Sequence, residues 1–230
     1  MIMKQKGQLI VFEGSDGSGK TTQAQLLLEY LKKKHIPHSY LDFPQYDSFY
    51  GEIVAKFLRG ELGRLEEISP YLASLTFALD RFAVRDKIFE KLDNGEIIIA
   101  NRYVSSNIAH QGSKFADIYE RNTFITWLDK LEYKIHKLPR ENLVLYLKVP
   151  SQITEQLINR KGKRNYLNGK MDIQEQDSKH RLSTEMMYNI LSQQYKHWKT
   201  IECSLNDKMI STENIHNNIM QILVKERIVK

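Results

Sequence analysis

Gly7-Gln8-Leu9-Ile10-Val11-Phe12-Glu13 runs directly into Gly14-Ser15-Asp16-Gly17-Ser18-Gly19-Lys20-Thr21. The first run is short and apolar, as a buried strand requires. After the second, Ala24, Leu27, Leu28 and Leu31 recur at helical spacing. Strand, glycine-rich turn and helix therefore follow one another without a gap, and the turn fits G-x-x-x-x-G-K-[ST] in full. Its glycines let successive backbone N–H groups face a single anion, and the helix adds the positive end of its dipole. The loop from Gly14 to Thr22, with Ser15, Asp16, Gly17, Ser18 and Gly19 between, is expected to hold the phosphates of a nucleoside triphosphate. Lys20 is expected to reach the β and γ phosphates, and the Thr21 hydroxyl to ligate Mg2+.

Outward from this loop, strands alternate with helices. His38 to Phe43 reads as a second strand ended by Pro44, Glu96 to Ala100 as a third after the turn Asp93-Asn94-Gly95, and Leu143 to Val149 as a fourth. Thr200 to Cys203 reads as a short last strand. Helices are expected over Tyr71 to Leu92, Phe124 to His136, Ser151 to Asn159 (Ser151 as N-cap), Arg181 to Trp198, and from Glu213 onward. From about residue 160 to 179 the pattern dissolves into Gly, Asn, Lys and charge, and reads as a mobile loop. The fold class is α/β: a three-layer αβα arrangement around a central parallel sheet of about five strands, in one domain spanning residues 1–230.

Bulk composition agrees. The 230 residues carry 41% hydrophobic and 27% charged side chains, as a globular core and a solvated surface require. The lone Cys203 points to a reducing, cytoplasmic compartment and cannot staple the chain to itself. No apolar run is long enough for a membrane span, and the start of the chain lacks the apolar stretch of a signal peptide. A net charge of +6 fits a soluble basic protein or cations gathered around phosphates, and the absence of one long basic stripe argues against nucleic acid.

Four further positions stand out. Asp16 lies inside an anion-binding loop, where phosphate repels it, so it needs a sugar hydroxyl or an arginine as partner. Phe77 and Arg81 share a helix face, an aromatic plane beside a planar cation, which suits a nucleobase; a core Phe beside a solvated Arg is the competing explanation. Leu75, Leu79 and Phe82 are left to serve the core. Arg102 follows the third strand and so sits at the carboxyl end of the sheet, where α/β proteins bind ligands.

Four segments in order resemble the thymidylate kinase family. Phe12 to Gln23 resembles its phosphate-binding loop, acid included; Phe43-Pro44 its Phe-Pro segment; and Phe77-Ala78-Leu79-Asp80-Arg81 its base-binding helix. Asn101-Arg102-Tyr103 resembles its Asp-Arg-Tyr motif, and Ser106, His110, Gln111 and Gly112 its Ser…Ala-Tyr-Gln-Gly segment. The resemblance implies ATP-dependent phosphorylation of dTMP to dTDP, a step in dTTP synthesis, with Mg2+, usually as a homodimer. It implies that Asp16 contacts the 3′-hydroxyl, that Phe77 stacks on thymine, that Arg81 hydrogen-bonds its carbonyl edge and that Arg102 holds the acceptor phosphate. Phe43, Ser106, His110 and Gln111 complete the substrate pocket. Arg160-Lys161-Gly162-Lys163-Arg164 resembles the family lid, and Asp172 to Asp177 its acidic follow-on. The phosphate-binding loop carries no arginine, so Arg160 and Arg164, with Lys163 next, are the expected source of positive charge at the γ-phosphate.

The chain departs from the family at three points. Asn101 replaces the Asp of Asp-Arg, His110 replaces a Tyr, and Gln45-Tyr46 stand where some members place an Arg after Phe-Pro. Asn101 lacks the charge that helps order Mg2+ and its waters. The rival readings are a kinase of the same fold acting on another (deoxy)nucleoside monophosphate, and a nucleotide-binding protein of weak activity.

Overall fold

The computed structural model describes residues 6–159, 167 and 172–229. Five parallel strands form the central sheet in the order β2-β3-β1-β4-β5: β1 (Gln8–Glu13), β2 (His38–Asp42), β3 (Ile97–Asn101), β4 (Leu143–Lys148) and β5 (Trp198–Glu202). Side chains alternate across it. Leu9, Val11, Ile98, Ala100, Val144 and Tyr146 enter one core; Ile10, Phe12, Ile97, Ile99, Leu145 and Leu147 enter the other. This two-sided burial explains why β1, β3 and β4 read as continuous apolar runs.

Helix α1 (Lys20–Lys33) buries Ala24, Leu27 and Leu31 against the second face, together with α10 (Thr212–Lys225) through Ile215, Ile219 and Leu223. The opposite face is covered by α4 (Arg85–Asp93), α5 (Val104–Gly112), α6 (Ile118–Asp129) and α9 (Ser178–Gln194). From β1 the chain moves to one side of the sheet and from β3 to the other. The crevice between these two strand ends is thus the topological switch point, where open α/β sheets bind ligands.

Several boundaries differ from expectation. Tyr71 to Leu92 is two helices, α3 (Pro70–Phe82) and α4, because the Val84 N–H turns back to the Arg81 carbonyl in a tight three-residue step. The break is so short that the apolar rhythm continues through it. Leu75 and Leu79 are only half-buried and Phe82 is exposed, because Ala73 and Ala78 supply the inner face of α3. The Phe124 to His136 helix starts earlier, where the Asp117 carboxylate accepts from the Glu120 N–H (2.9 Å), and ends as a π-helical turn over Lys130–Ile135. Helix α7 (Ser151–Asn159) begins at Ser151 itself, since the Pro150 carbonyl takes the first turn's N–H groups.

The acidic run after the expected lid is a pair of helix caps. Asp172 caps the short α8 (Ile173–Gln176), and Asp177 accepts from Lys179 and His180 N–H at the head of α9. Helix formation thus begins inside the segment expected as loop to residue 179. Three elements have no counterpart in the sequence reading: α2 (Phe49–Leu58), α5 and the hairpin β6 (Ser204–Leu205) to β7 (Lys208–Met209). That hairpin turns on Asn206 and Asp207, both left-handed, as a two-residue hairpin requires.

Helix α2 hangs on Ser48, whose Oγ accepts from the Gly51 N–H (2.8 Å) and donates to Asp80 Oδ1 (3.2 Å). Asp80 also accepts from the Gln45 N–H, so the segment between β2 and α2 is pinned to α3. Ser48→Ala is expected to destabilise the fold by about 1–2 kcal/mol, the usual cost of an N-cap, read from urea unfolding. An unchanged midpoint would show that the cap carries no load.

Candidate active site

The Gly14–Gly19 turn is built as the sequence predicts. Gly14 has φ 141°, and a Cβ there would lie 2.6 Å from the Leu147 carbonyl oxygen; Gly19, φ 94°, leads into α1. Lys20 is buried and folds its ammonium over the loop, donating to the Gly14 and Ser15 carbonyls at 2.9 Å each. Ser18 is buried, and its hydroxyl has no hydrogen-bond partner among the described residues. Beside the loop opens a cavity of about 500 Å³, within the range that holds a small ligand. Asp16, Gly17, Gly19, Lys20, Thr21 and Thr22 form one end of it; Gly14, Ser15 and Ser18 support the turn from outside the lining.

Arg102 stands across from the loop. Its backbone is left-handed (φ 65°), a conformation that costs a non-glycine residue on the order of 1 kcal/mol or more, and its N–H donates to the Phe12 carbonyl. This twist at the end of β3 turns the side chain toward β1. The guanidinium donates to Asp16 Oδ1 (2.8 Å), Ser106 Oγ (3.2 Å), Tyr188 OH (3.3 Å) and His110 Nε2 (3.3 Å). Asp16 thereby meets the arginine partner its position demanded.

Beneath Arg102 lies Glu13, fully buried, which accepts from the Tyr103 N–H, the Ser105 and Ser106 hydroxyls and Tyr188 OH. Neither Glu13 nor Tyr188 was singled out from the sequence. Glu13 could have been, as a carboxylate ending an apolar strand; Tyr188 is one polar tip among many on an amphipathic helix.

Phe77, Arg81 and Gln111 line the far end of the cavity, with Phe43 and Tyr103 packed at 5.9 Å between ring centroids. Phe77 meets Phe57 edge-on. Arg81 is not a solvated surface cation: it is 2% exposed and paired with Glu132, itself fully buried on the π-helical turn. Its Nε and Nη2 donate to that carboxylate and its Nη1 to the Tyr103 carbonyl, so each terminal nitrogen keeps a second N–H. Gln111 is fully buried, yet among the described residues its amide oxygen and nitrogen have no hydrogen-bond partner.

At the other wall, Asn101 Nδ2 donates to Asp42 Oδ1 (2.9 Å) and to Thr21 Oγ1 (3.3 Å). Asp42 was not anticipated, although it directly precedes Phe43-Pro44. Among the described residues no cluster of three or more His, Cys, Asp or Glu could cage a metal. A hydroxyl with one carboxylate nearby suits Mg2+, which keeps several waters and takes phosphate oxygens. Arg160, Lys163 and Arg164 lie outside the described residues.

These features match a known group of proteins. The family model described as thymidylate kinase covers residues 12–219. The chain belongs to the thymidylate kinase family. A thymidylate kinase from Plasmodium falciparum (isolate 3D7) is 28% identical over 226 residues, spanning 98% of this chain and 93% of the relative. A solved thymidylate kinase structure from Candida albicans superposes with a TM-score of 0.71 at 20% identity, covering 96% of this chain and 93% of that chain, which speaks for the fold. The reaction that goes with family membership is phosphorylation of dTMP to dTDP, and the enzyme is a nucleoside-monophosphate kinase.

Where the family tyrosine is expected stands His110, which makes a chain with His180. Arginine can only donate, so His110 Nε2 must accept and its proton sits on Nδ1, facing His180 Nε2 (3.4 Å). The network thereby assigns both rings as neutral. Burial, then Arg102 and His180, holds the His110 pKa well below its usual value; burial, then Lys114, pushes His180 down to about 4, with Asp177 opposing. Below about pH 6.5 the unfolded chain therefore takes up protons that the folded chain refuses, and this part of stability is lost as pH falls toward about 4. Between about pH 7 and about pH 5, urea unfolding of the wild type is expected to lose about 2 kcal/mol more than that of His180→Asn. Glu141, raised by burial to about 7, acts in the opposite direction but equally in both proteins. Parallel pH profiles would contradict the assignment.

Proposed function

We propose that the enzyme transfers the γ-phosphoryl group of ATP, taken with Mg2+, to the phosphate of dTMP, at the cavity between the Gly14–Thr22 loop and Arg102. One observation carries the reading: a single cavity joins a phosphate-binding loop, a second cation and an unsatisfied buried amide, Gln111, beside an aromatic ring. An orphaned amide costs about 1–3 kcal/mol unless a ligand pairs with it, and a pyrimidine edge offers both a donor and an acceptor.

In this reading Gly14, Ser15, Gly17, Ser18, Gly19 and Thr22 cradle the ATP phosphates, Lys20 neutralises the β and γ groups, and Thr21 faces the metal. Arg102 holds the acceptor phosphate. Its bond to Asp16 keeps it in place, and Asp16 offers its other oxygen to the sugar 3′-hydroxyl. Phe77 stacks on the base, the remaining N–H groups of Arg81 and the Gln111 amide read its edge, and Phe43, Ser106 and His110 close the pocket. Mg2+, when bound, supplies neutralisation of phosphate charge. The acceptor is already an anion, so no general base is needed. Catalysis reduces to positioning and charge. Arg160 and Arg164, which lie outside the described residues, are assigned the charge at the γ-phosphate, and the whole chain is read as one catalytic domain.

Coupled ADP release with ATP and Mg2+ tests this. dTMP is expected to exceed dUMP, dGMP, dCMP and AMP as acceptor, and Lys20→Ala to lower kcat by about 10²–10³-fold, the usual loss when one donor to developing charge is removed. A preference for another monophosphate would sink the substrate, and unchanged turnover in Lys20→Ala would sink the mechanism.

The enzyme is also read as a cytoplasmic homodimer. Leu72, Leu75, Leu79 and Phe82 form one stripe on α3; Leu72 is 62% exposed, and a partner helix of a second copy would cover the stripe. Leu72→Glu is expected to shift the sedimenting species from dimer to monomer. A wild type that sediments as monomer would refute the assembly.

A further inference from the structure

We infer that Asp42 is the carboxylate that orders the nucleotide's hydrated Mg2+, standing in for the neutral Asn101; the inference rests on the proposed ATP site. The Thr21 hydroxyl needs a carboxylate near it if the ion and its waters are to be held, because Mg2+ parts with water reluctantly and is fixed by one or two carboxylates beside phosphate oxygens. The strand end that faces Thr21 is Asn101, which has no charge to give.

The charge lies one strand further out. Asp42 ends β2 and is the register partner of Asn101 across the parallel pair β2–β3, so the two side chains leave the sheet edge side by side, about 4.8 Å apart at the backbone. Asn101 Nδ2 donates to both Asp42 and Thr21, which ties hydroxyl and carboxylate into one cluster on the cavity wall. Asn101 is 7% exposed, and its amide oxygen is buried without a hydrogen-bond partner among the described residues, an acceptor suited to a metal-bound water.

The other carboxylates of the cavity are committed. Asp16 is paired with Arg102, Asp80 accepts from Gln45 and Ser48, and Asp172 caps α8. Asp42 is exposed toward the cavity, and among the described residues no lysine or arginine lies within ion-pairing distance of it. A carboxylate so placed beside bound triphosphate is repelled unless a cation stands between them. A hydrated divalent ion at Thr21 resolves the repulsion, and Asn101 serves as the spacer that fixes both ligands. Asn101 and Asp42 together therefore replace one aspartate at position 101.

Mn2+ with ADP, without any acceptor, provides the test. Mn2+ binding is read by electron paramagnetic resonance, and ADP binding in EDTA is measured alongside. Asp42→Asn is expected to weaken Mn2+ uptake by the protein–ADP complex about 10-fold, the scale of an outer-shell metal contact, while ADP affinity in EDTA does not fall. Asn101→Asp is expected to tighten Mn2+, and in the Asn101→Asp background Asp42→Asn should cost several-fold less, since the two carboxylates would serve one ion. Wild-type Mn2+ affinity in Asp42→Asn, or an equal loss in both backgrounds, would overturn the inference while leaving the ATP site standing. If Asp42→Asn lost ADP binding in EDTA, the decision would pass to Asn101→Asp, where unchanged Mn2+ affinity overturns the inference. A wild type that binds no Mn2+ with ADP would overturn the nucleotide–metal reading and the inference together.

Discussion

A single buried carboxylate, Glu13, holds the catalytic end of this kinase together. Taking a carboxylate out of water costs several kcal/mol, which only direct hydrogen bonds can offset. Glu13 meets the demand by drawing in the Tyr103 N–H, the hydroxyls of Ser105 and Ser106 from α5, and Tyr188 from α9. These donors come from segments far apart in sequence and are brought to the last residue of β1. Because Ser106 and Tyr188 in turn accept from Arg102, the network that satisfies Glu13 also aims the arginine at the phosphate-binding loop. Stability and function share the same bonds here.

The same economy governs charge. Lys20 and Arg102 face one cavity, and before substrate arrives their repulsion must be contained. Lys20 is held by the carbonyls of its own loop, while Arg102 is held by Asp16. His110 lies against Arg102 and adds no charge, because burial and the Arg102 guanidinium keep the ring neutral. In the proposed function the site is therefore pre-ordered for two anions. Strain at Arg102, whose backbone sits in a left-handed conformation, is sustained by the bonds at both ends of the residue.

Much of this was legible in the sequence, for reasons that vary with the segment. The inner strands β1, β3 and β4 could be read because burial on both faces makes them continuous apolar runs, while the edge strand β5 begins at Trp198 and not Thr200 because its polar residues blur the pattern; the glycine-rich loop could be read because its glycines and Lys20 answer a fixed geometric demand. The α3–α4 break was not legible, since one tight turn leaves the apolar rhythm unchanged. Helix α5 was hidden by Ser105, Ser106 and Asn107, buried polar residues that read as a loop until Glu13 and the Ser74 carbonyl are seen to satisfy them. Asp172 and Asp177 looked like an acidic run and are caps. Glu132 carried no signal at all: only the π-helical turn points it inward, and its meaning depends on Arg81, distant in sequence.

In the proposed function, that pair also lets one cavity treat its two ends differently. A phosphate is a dianion, and the charged groups facing it gain by Coulomb attraction in a site poor in water. A nucleobase is neutral, so an uncompensated guanidinium beside it would carry the cost of desolvation without an opposite charge in return. Glu132 removes that cost by neutralising Arg81 from behind, while the second N–H on each terminal nitrogen remains. In the proposed function, recognition at the base end then depends on the direction of hydrogen bonds, from Arg81 and from the orphaned amide of Gln111, rather than on net charge. A substrate whose edge matches these donors and acceptors satisfies groups that are otherwise left unpaired. One that does not leaves them buried and unsatisfied, and so is rejected by a penalty already built into the unliganded fold.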